Sequence, residues 1–139
     1  MTPIEVGREA LDSAAIECVA YGAPVTLAAE ALHKVERGQR QLEALIDERR
    51  LIYGITTGYG PLAGRHIDPS RAGALQRNLI YHLASGTGPE FDQITVRAIM
   101  AVRLNTLAQA HSAVRRVTLE KLAQWLNADV VPVVPARGT

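Results

Sequence analysis

The spacing of apolar residues limits the fold more than any other feature, because over most of the chain they recur at threes and fours. From Pro24 to Arg50 the residues Leu27, Ala31, Val35, Leu42, Leu45 and Ile46 fall mostly on one helical face. Gly38 is expected to divide this stretch into two helices. The second, QRQLEALIDERR, is rich in good helix formers and ends in Arg49 and Arg50, cations suited to a helix C-terminus. A further helix is expected around Arg8 to Tyr21. Asp68-Pro69 is a start signal, with an acceptor at the cap and a proline at the first helical position. That helix carries Leu75, Leu79, Tyr81, His82 and Leu83 and stops near Gly86 and Gly88, with Pro89 behind them. A third long helix is expected from Asp92 to Ala110, apolar at Ile94, Ile99, Val102, Leu104 and Leu107. Ser112 is the expected cap of another, which carries Val117, Leu122, Trp125 and Leu126. Two prolines make the tail VVPVVPARGT extended. The expected class is all-α.

Composition narrows what such a helical chain can do. At 47% hydrophobic and 21% charged residues the chain is neither disordered nor collagen-like. Fifteen Lys and Arg against fourteen Asp and Glu give no electrostatic case for nucleic acid or an anionic membrane as partner. The apolar runs fall short of the roughly 18 residues of a membrane span. MTPIEVGREA lacks the basic and apolar regions of a secretory signal. Cys18 is the only cysteine, which favours a reducing compartment. The expectation is a soluble cytoplasmic protein.

One segment does not fit a tidy bundle. Residues 51–67, within RLIYGITTGYGPLAGRHI, form a glycine-punctuated loop between two strong helices, longer than the usual helix–helix connection of roughly 2–8 residues. It has too few charges for a solvated linker. Gly54, Gly58, Gly60 and Gly64 surround Tyr53 and Tyr59, but the lysine followed by Ser or Thr of a phosphate-binding loop is missing. A loop of this kind can instead be a lid that delivers a side chain to a substrate, and Tyr53 is the best candidate. A tyrosine with an ordinary pKa of about 10 is a poor base at neutral pH, so that role needs positive charge or hydrogen-bond donors nearby. Otherwise Tyr53 and Tyr59 pin the loop to the helices. His33, His66, His82 and His111 have no metal-ligand spacing and no accompanying carboxylate or cysteine cluster, so no metal is expected. His82, late in its helix, is open to three roles: a C-terminal cation, a core group or a ligand contact.

Three segments together, YGITTGYGPL, LQRNLIYHLASGTG and VRAIMAVRLNTLAQAHSAVR with its continuation LNADVVPVVPARGT, resemble the N-terminal part of the aromatic amino acid ammonia-lyases and aminomutases. The resemblance is strong from Leu51 to Thr139 and limited to helical character before that. It implies N-terminal helices over 1–50, an active-site lid loop over 51–67, a helical core segment over 68–127 and an extended tail over 128–139. The implied cofactor is a methylidene-imidazolone (MIO) made from an Ala-Ser-Gly expected just beyond Thr139 and not in this chain, so the 139 residues alone would be inactive. By the same resemblance Tyr53 is the base that removes the substrate β-proton and Gly60 lies against the substrate. His82 and Leu83 are the pair that contacts its ring. A His-Leu pair is similar to that of bacterial tyrosine lyases, and a histidine left unpaired by phenylalanine would penalise that substrate. The implied reaction converts L-tyrosine to trans-p-coumarate and ammonia, in a homotetramer completed by the remainder of the polypeptide. The alternatives are a tyrosine or phenylalanine aminomutase, a histidine or phenylalanine ammonia-lyase, and a non-catalytic helical interaction module.

Overall fold

A computed structural model describes residues 1–138; Thr139, the last residue of the expected tail, lies outside the described residues. Five α-helices dominate: α1 (Ser13–Ala20), α2 (Ala29–Asp47), α3 (Ala72–Leu83), α4 (Gln93–Ala108) and α5 (Arg116–Asn127). Four short strands accompany them: β1 (Ile4–Val6), β2 (Val25–Leu27), β3 (Thr87–Glu90) and β4 (Pro135–Arg137). β1 and β2 pair in parallel with Ile4 opposite Val25, and β3 pairs antiparallel with β4. The expected helical class holds. The strands are too short to show alternation, and Leu27, counted on a helical face, belongs to β2.

The core lies where α4 crosses α1, α2 and α5. Val96, Met100, Leu104 and Ala108 recur every fourth residue on α4 and pack with Val19, Val35, Leu119 and Leu126. Val6 and Val25 bring the β1–β2 pair into the same cluster. The amide of Asn127, on α5, clamps Val25: its Oδ1 accepts the Val25 N–H at 2.8 Å and its Nδ2 donates to the Val25 carbonyl at 2.9 Å. Asp92 caps α4 by accepting the Thr95 N–H at 2.7 Å, and that bond holds its carboxyl below the usual carboxylate range.

Three local expectations are corrected. Gly38 does not break α2, which runs unbroken to Asp47. A Cβ there would lie 3.0 Å from the Ala110 carbonyl oxygen, so glycine lets the helix approach the α4–α5 turn. Ser112 does not cap α5: the helix starts at Arg116, after a turn in which Ala110 and Ala113 take left-handed φ values of 65° and 49°. Pro69 opens a 3-10 turn over Pro69–Arg71, and the α-helix follows at Ala72. The Asp68 signal is real nonetheless, since its carboxylate accepts both the hydroxyl and, at 2.8 Å, the N–H of Ser70. Those bonds, the hydroxyl's first, hold the Asp68 carboxyl below its ordinary range.

The core cluster contains no residue between Val35 and Val96. The whole stretch with the loop and α3 lies outside it, and no described side chain of α3 is fully buried. Among the described residues, no helix is long and apolar enough to cross a membrane.

Candidate functional site

The loop organises itself around two buried threonines. The Thr56 hydroxyl donates to the Arg50 carbonyl at 2.6 Å and accepts the Ile52 N–H at 2.8 Å. The Thr57 hydroxyl accepts the Gly54 N–H at 3.2 Å and donates to the Gly58 carbonyl at 3.1 Å. The loop closes on itself where Gly58 N–H meets the Arg65 carbonyl at 3.2 Å and Ile67 N–H meets that of Thr56 at 2.8 Å. Most of its backbone N–H groups are therefore satisfied without help from the helices.

Tyr53 stands on this frame with 63% of its surface exposed. Its ring meets Tyr59 edge-on, with centroids 6.1 Å apart and planes at 88°. Gly54 has a φ of 72°, and a Cβ there would fall 2.6 Å from the Tyr59 ring. The Gly60 N–H donates to the Tyr53 hydroxyl oxygen at 3.2 Å. Tyr53 and Gly60, singled out separately in the sequence, thus meet, and the bond is a donor of the type that a basic tyrosine requires.

Among the described residues, one side-chain hydrogen bond joins helix α3 to the loop. Gln76 Nε2 donates to the Gly54 carbonyl at 2.8 Å. His82 and Leu83 occupy the last turn of α3, roughly 9 Å further along the axis at about 1.5 Å per residue, and both are exposed. The chain then turns sharply: Ala84 has φ −76° and ψ 56°, and Ser85 N–H donates to the Leu83 carbonyl at 2.8 Å, an inverse γ-turn. β3 follows, and the tail pairs with it as β4. Phe91 N–H donates to the Val134 carbonyl at 3.0 Å, and a Cβ on Gly138 would lie 3.1 Å from the Gly86 Cα. The end of the tail is therefore delivered to the turn just behind His82 and Leu83.

That turn holds a detail the sequence reading passed over. Ala84-Ser85-Gly86 is itself an Ala-Ser-Gly, so the string, though not the one expected beyond Thr139, does occur in the chain. Its Gly86 is wedged against the Pro135 ring, which a Cβ would approach to 2.8 Å. Here the tripeptide is the packed connection from helix to strand. Thr56, Thr57 and Gln76 were also missed. Two adjacent threonines among glycines were a usable sign of an internally bonded loop, whereas nothing in the spelling of LQRNL points to a partner at Gly54. Among the described residues, no three His, Cys, Asp or Glu side chains gather as a metal ligand set would.

A helical piece that holds an exposed tyrosine loop and an exposed His-Leu helix end matches one family profile. The aromatic amino acid lyase family matches over residues 11–139, and the chain belongs to that family. It is 40% identical over 140 residues to the MIO-dependent tyrosine 2,3-aminomutase of Streptomyces globisporus, covering 100% of this chain and 26% of that protein. The crystal structure of the tyrosine aminomutase from that organism superposes with a TM-score of 0.94 over 99% of this chain and 26% of its own. Identity to the tyrosine ammonia-lyase of Cereibacter sphaeroides is 43% over 118 residues, 85% of this chain and 23% of that one. Identity to the histidine ammonia-lyase of Gloeobacter violaceus is 44% over 118 residues, with the same coverage of 85% and 23%. The chain thus spans about a quarter of the length of the curated relatives it matches. Their names divide between tyrosine and histidine and between ammonia-lyase and aminomutase, so the choice among them falls to individual residues.

Proposed function

We propose that these residues are the N-terminal segment of a tyrosine ammonia-lyase, which eliminates ammonia from L-tyrosine to give trans-p-coumarate. One observation carries the reading: the Tyr53 loop and the helix bearing His82 and Leu83 form one substructure outside the core, joined by the Gln76–Gly54 bond. The expected MIO group would supply an electrophile for the substrate amine, making it a leaving group. Its precursor tripeptide is read as lying beyond Thr139, and the packing of Gly138 on Gly86 supports a tail aimed at the His82 end of α3.

In this reading Tyr53 accepts the β-proton at its hydroxyl oxygen. That oxygen must carry negative charge beforehand, and the Gly60 N–H is aimed at it. The ammonia nitrogen leaves with the electron pair of the carbon–nitrogen bond, while the pair from the broken C–H bond becomes the new double bond. Leu83 packs against the ring, and the His82 imidazole pairs with the phenol hydroxyl. A substrate without that hydroxyl leaves the imidazole unpaired, which disfavours phenylalanine. The remainder of the polypeptide and the homotetramer complete the site.

The test is His82→Phe in the complete enzyme. Tyrosine preference over phenylalanine, read as the ratio of kcat/KM values, is expected to fall by roughly 10-fold or more, toward a phenylalanine lyase. An unchanged ratio would sink the role of His82 and, with it, the choice of tyrosine.

A second reading, a tyrosine aminomutase, has its own support in the 40% identity to the Streptomyces globisporus enzyme along the whole chain. Both readings share the elimination, and the mutase returns ammonia to the β-carbon before product escapes. Chromatography of the products separates them: p-coumarate alone marks a lyase, β-tyrosine a mutase.

A further inference from the structure

We infer that Gln76 is a positioning residue for Tyr53, acting through the Gly54 carbonyl; this rests on the reading of Tyr53 as the β-proton base. Apolar burial between the loop and α3 is partial, with Leu75, Leu79 and Ile67 only half-buried. No described side chain of α3 is fully buried, and none belongs to the core cluster. Among the described residues, the 2.8 Å bond from Gln76 Nε2 to the Gly54 oxygen is the only side-chain hydrogen bond that α3 makes to another part of the chain.

The acceptor is well placed for this task. Gly54 follows Tyr53 directly, its φ of 72° is a left-handed angle that suits glycine, and the Tyr59 ring fills the space a side chain would need. The bonds of Thr56 and Thr57, together with the Gly60–Tyr53 bond, make the loop one body, so the tie at Gly54 carries the phenol with it. The same helix ends in His82 and Leu83. One amide therefore ties the loop that bears the proton acceptor to the helix that bears the ring pair. A proton acceptor displaced by an ångström loses rate while substrate binding survives.

The experiment uses the complete enzyme with tyrosine as substrate and two variants, Gln76→Met, which keeps length without a donor, and Gln76→Glu. Gln76→Met is expected to lower kcat roughly 10- to 100-fold while KM changes less than about threefold, with the thermal midpoint and tetramer retained. Gln76→Glu presents a carboxylate to a carbonyl when ionised and a donor when protonated. Its kcat relative to the parent is expected to rise as pH falls toward the carboxyl pKa, a recovery that a merely structural role would not produce. In a Tyr53→Phe background, Gln76→Met should have no further effect on the residual rate. An unchanged kcat in Gln76→Met, a KM that rises in step with the loss, or a flat pH ratio for Gln76→Glu overturns the assignment. Full turnover in Tyr53→Phe alone would instead remove the base reading beneath it, so the two failures are distinguishable.

Discussion

Gly54 and Gly60 both take left-handed backbone angles in the loop, yet for different reasons, and the difference predicts two phenotypes. At Gly60, with φ 52°, a Cβ would meet nothing within 4 Å in this chain, so only the backbone angle opposes a side chain. Gly60→Ala is expected to cost about 1 kcal/mol of stability. Turnover should fall more than that figure implies, because a shifted backbone moves the N–H that donates to the Tyr53 oxygen. At Gly54 the same change adds a clash at 2.6 Å with the Tyr59 ring, and Gly54→Ala should lose loop order and turnover together. Thermal unfolding and kcat measured on the pair check this, and equal losses at both positions would contradict it. Tyr53 could be named from the sequence because a tyrosine among glycines is conspicuous. Gly60 was named there too, by resemblance, but its bond to Tyr53 was not legible, since the Gly60 N–H is backbone and leaves no letter of its own.

Among the elements, α4 holds the others, and its buried arginine shows how. Arg97 is 4% exposed, and its guanidinium donates to Val19 O at 3.1 Å, Leu126 O at 3.0 Å and Asp129 Oδ1 at 2.8 Å. The two carbonyls belong to the last turns of α1 and α5, where they also accept the backbone N–H of Gly22 at 3.1 Å and of Asp129 at 3.3 Å. One side chain thereby closes two helix ends against a third helix. Gln93, on the same helix, donates to the other Asp129 oxygen at 2.8 Å, so the turn into the tail is gripped from both sides. Arg97→Met, which keeps the stem and removes the donors, is expected to cost about 2–3 kcal/mol in denaturant unfolding. A change below about 0.5 kcal/mol would mean that water replaces the guanidinium at both helix ends. This clamp was not legible in the sequence, although the helix carrying it was, because periodicity reports which face is apolar and says nothing of a polar residue satisfied inside. Elements of helical length were recovered on the same ground. The three-residue strands were not, because their pairing depends on partners far away in sequence.

The molecule as a whole exposes more surface than a closed fold of its size. Its accessible area is 9286 Å² for 15.0 kDa, against about 7000 Å² for a compact monomer of that mass. The excess is on the scale of a protein–protein interface, and the sequence explains where it falls. α4 is apolar on two faces: one makes the core, while Ile94, Ile99 and Val102 of the other stay exposed, as a helix buried in a larger body would leave them. Ile80, Tyr81 and Leu83 on α3 are exposed in the same way. A second contribution is electrostatic, since Arg49, Arg50, Arg65, Arg71 and Arg77 face a single carboxylate, Asp68, between residues 49 and 89. The 139 residues produced alone are therefore expected to self-associate, bind a hydrophobic dye and elute well ahead of a 15.0 kDa monomer in gel filtration. If the apolar faces drive the association, it persists in about 0.5 M salt; if the arginines do, it dissolves there, because charges on the surface are screened within about 5 Å. A dye-negative monomer at low salt would contradict both, and would favour a self-sufficient helical module over a piece of a lyase body.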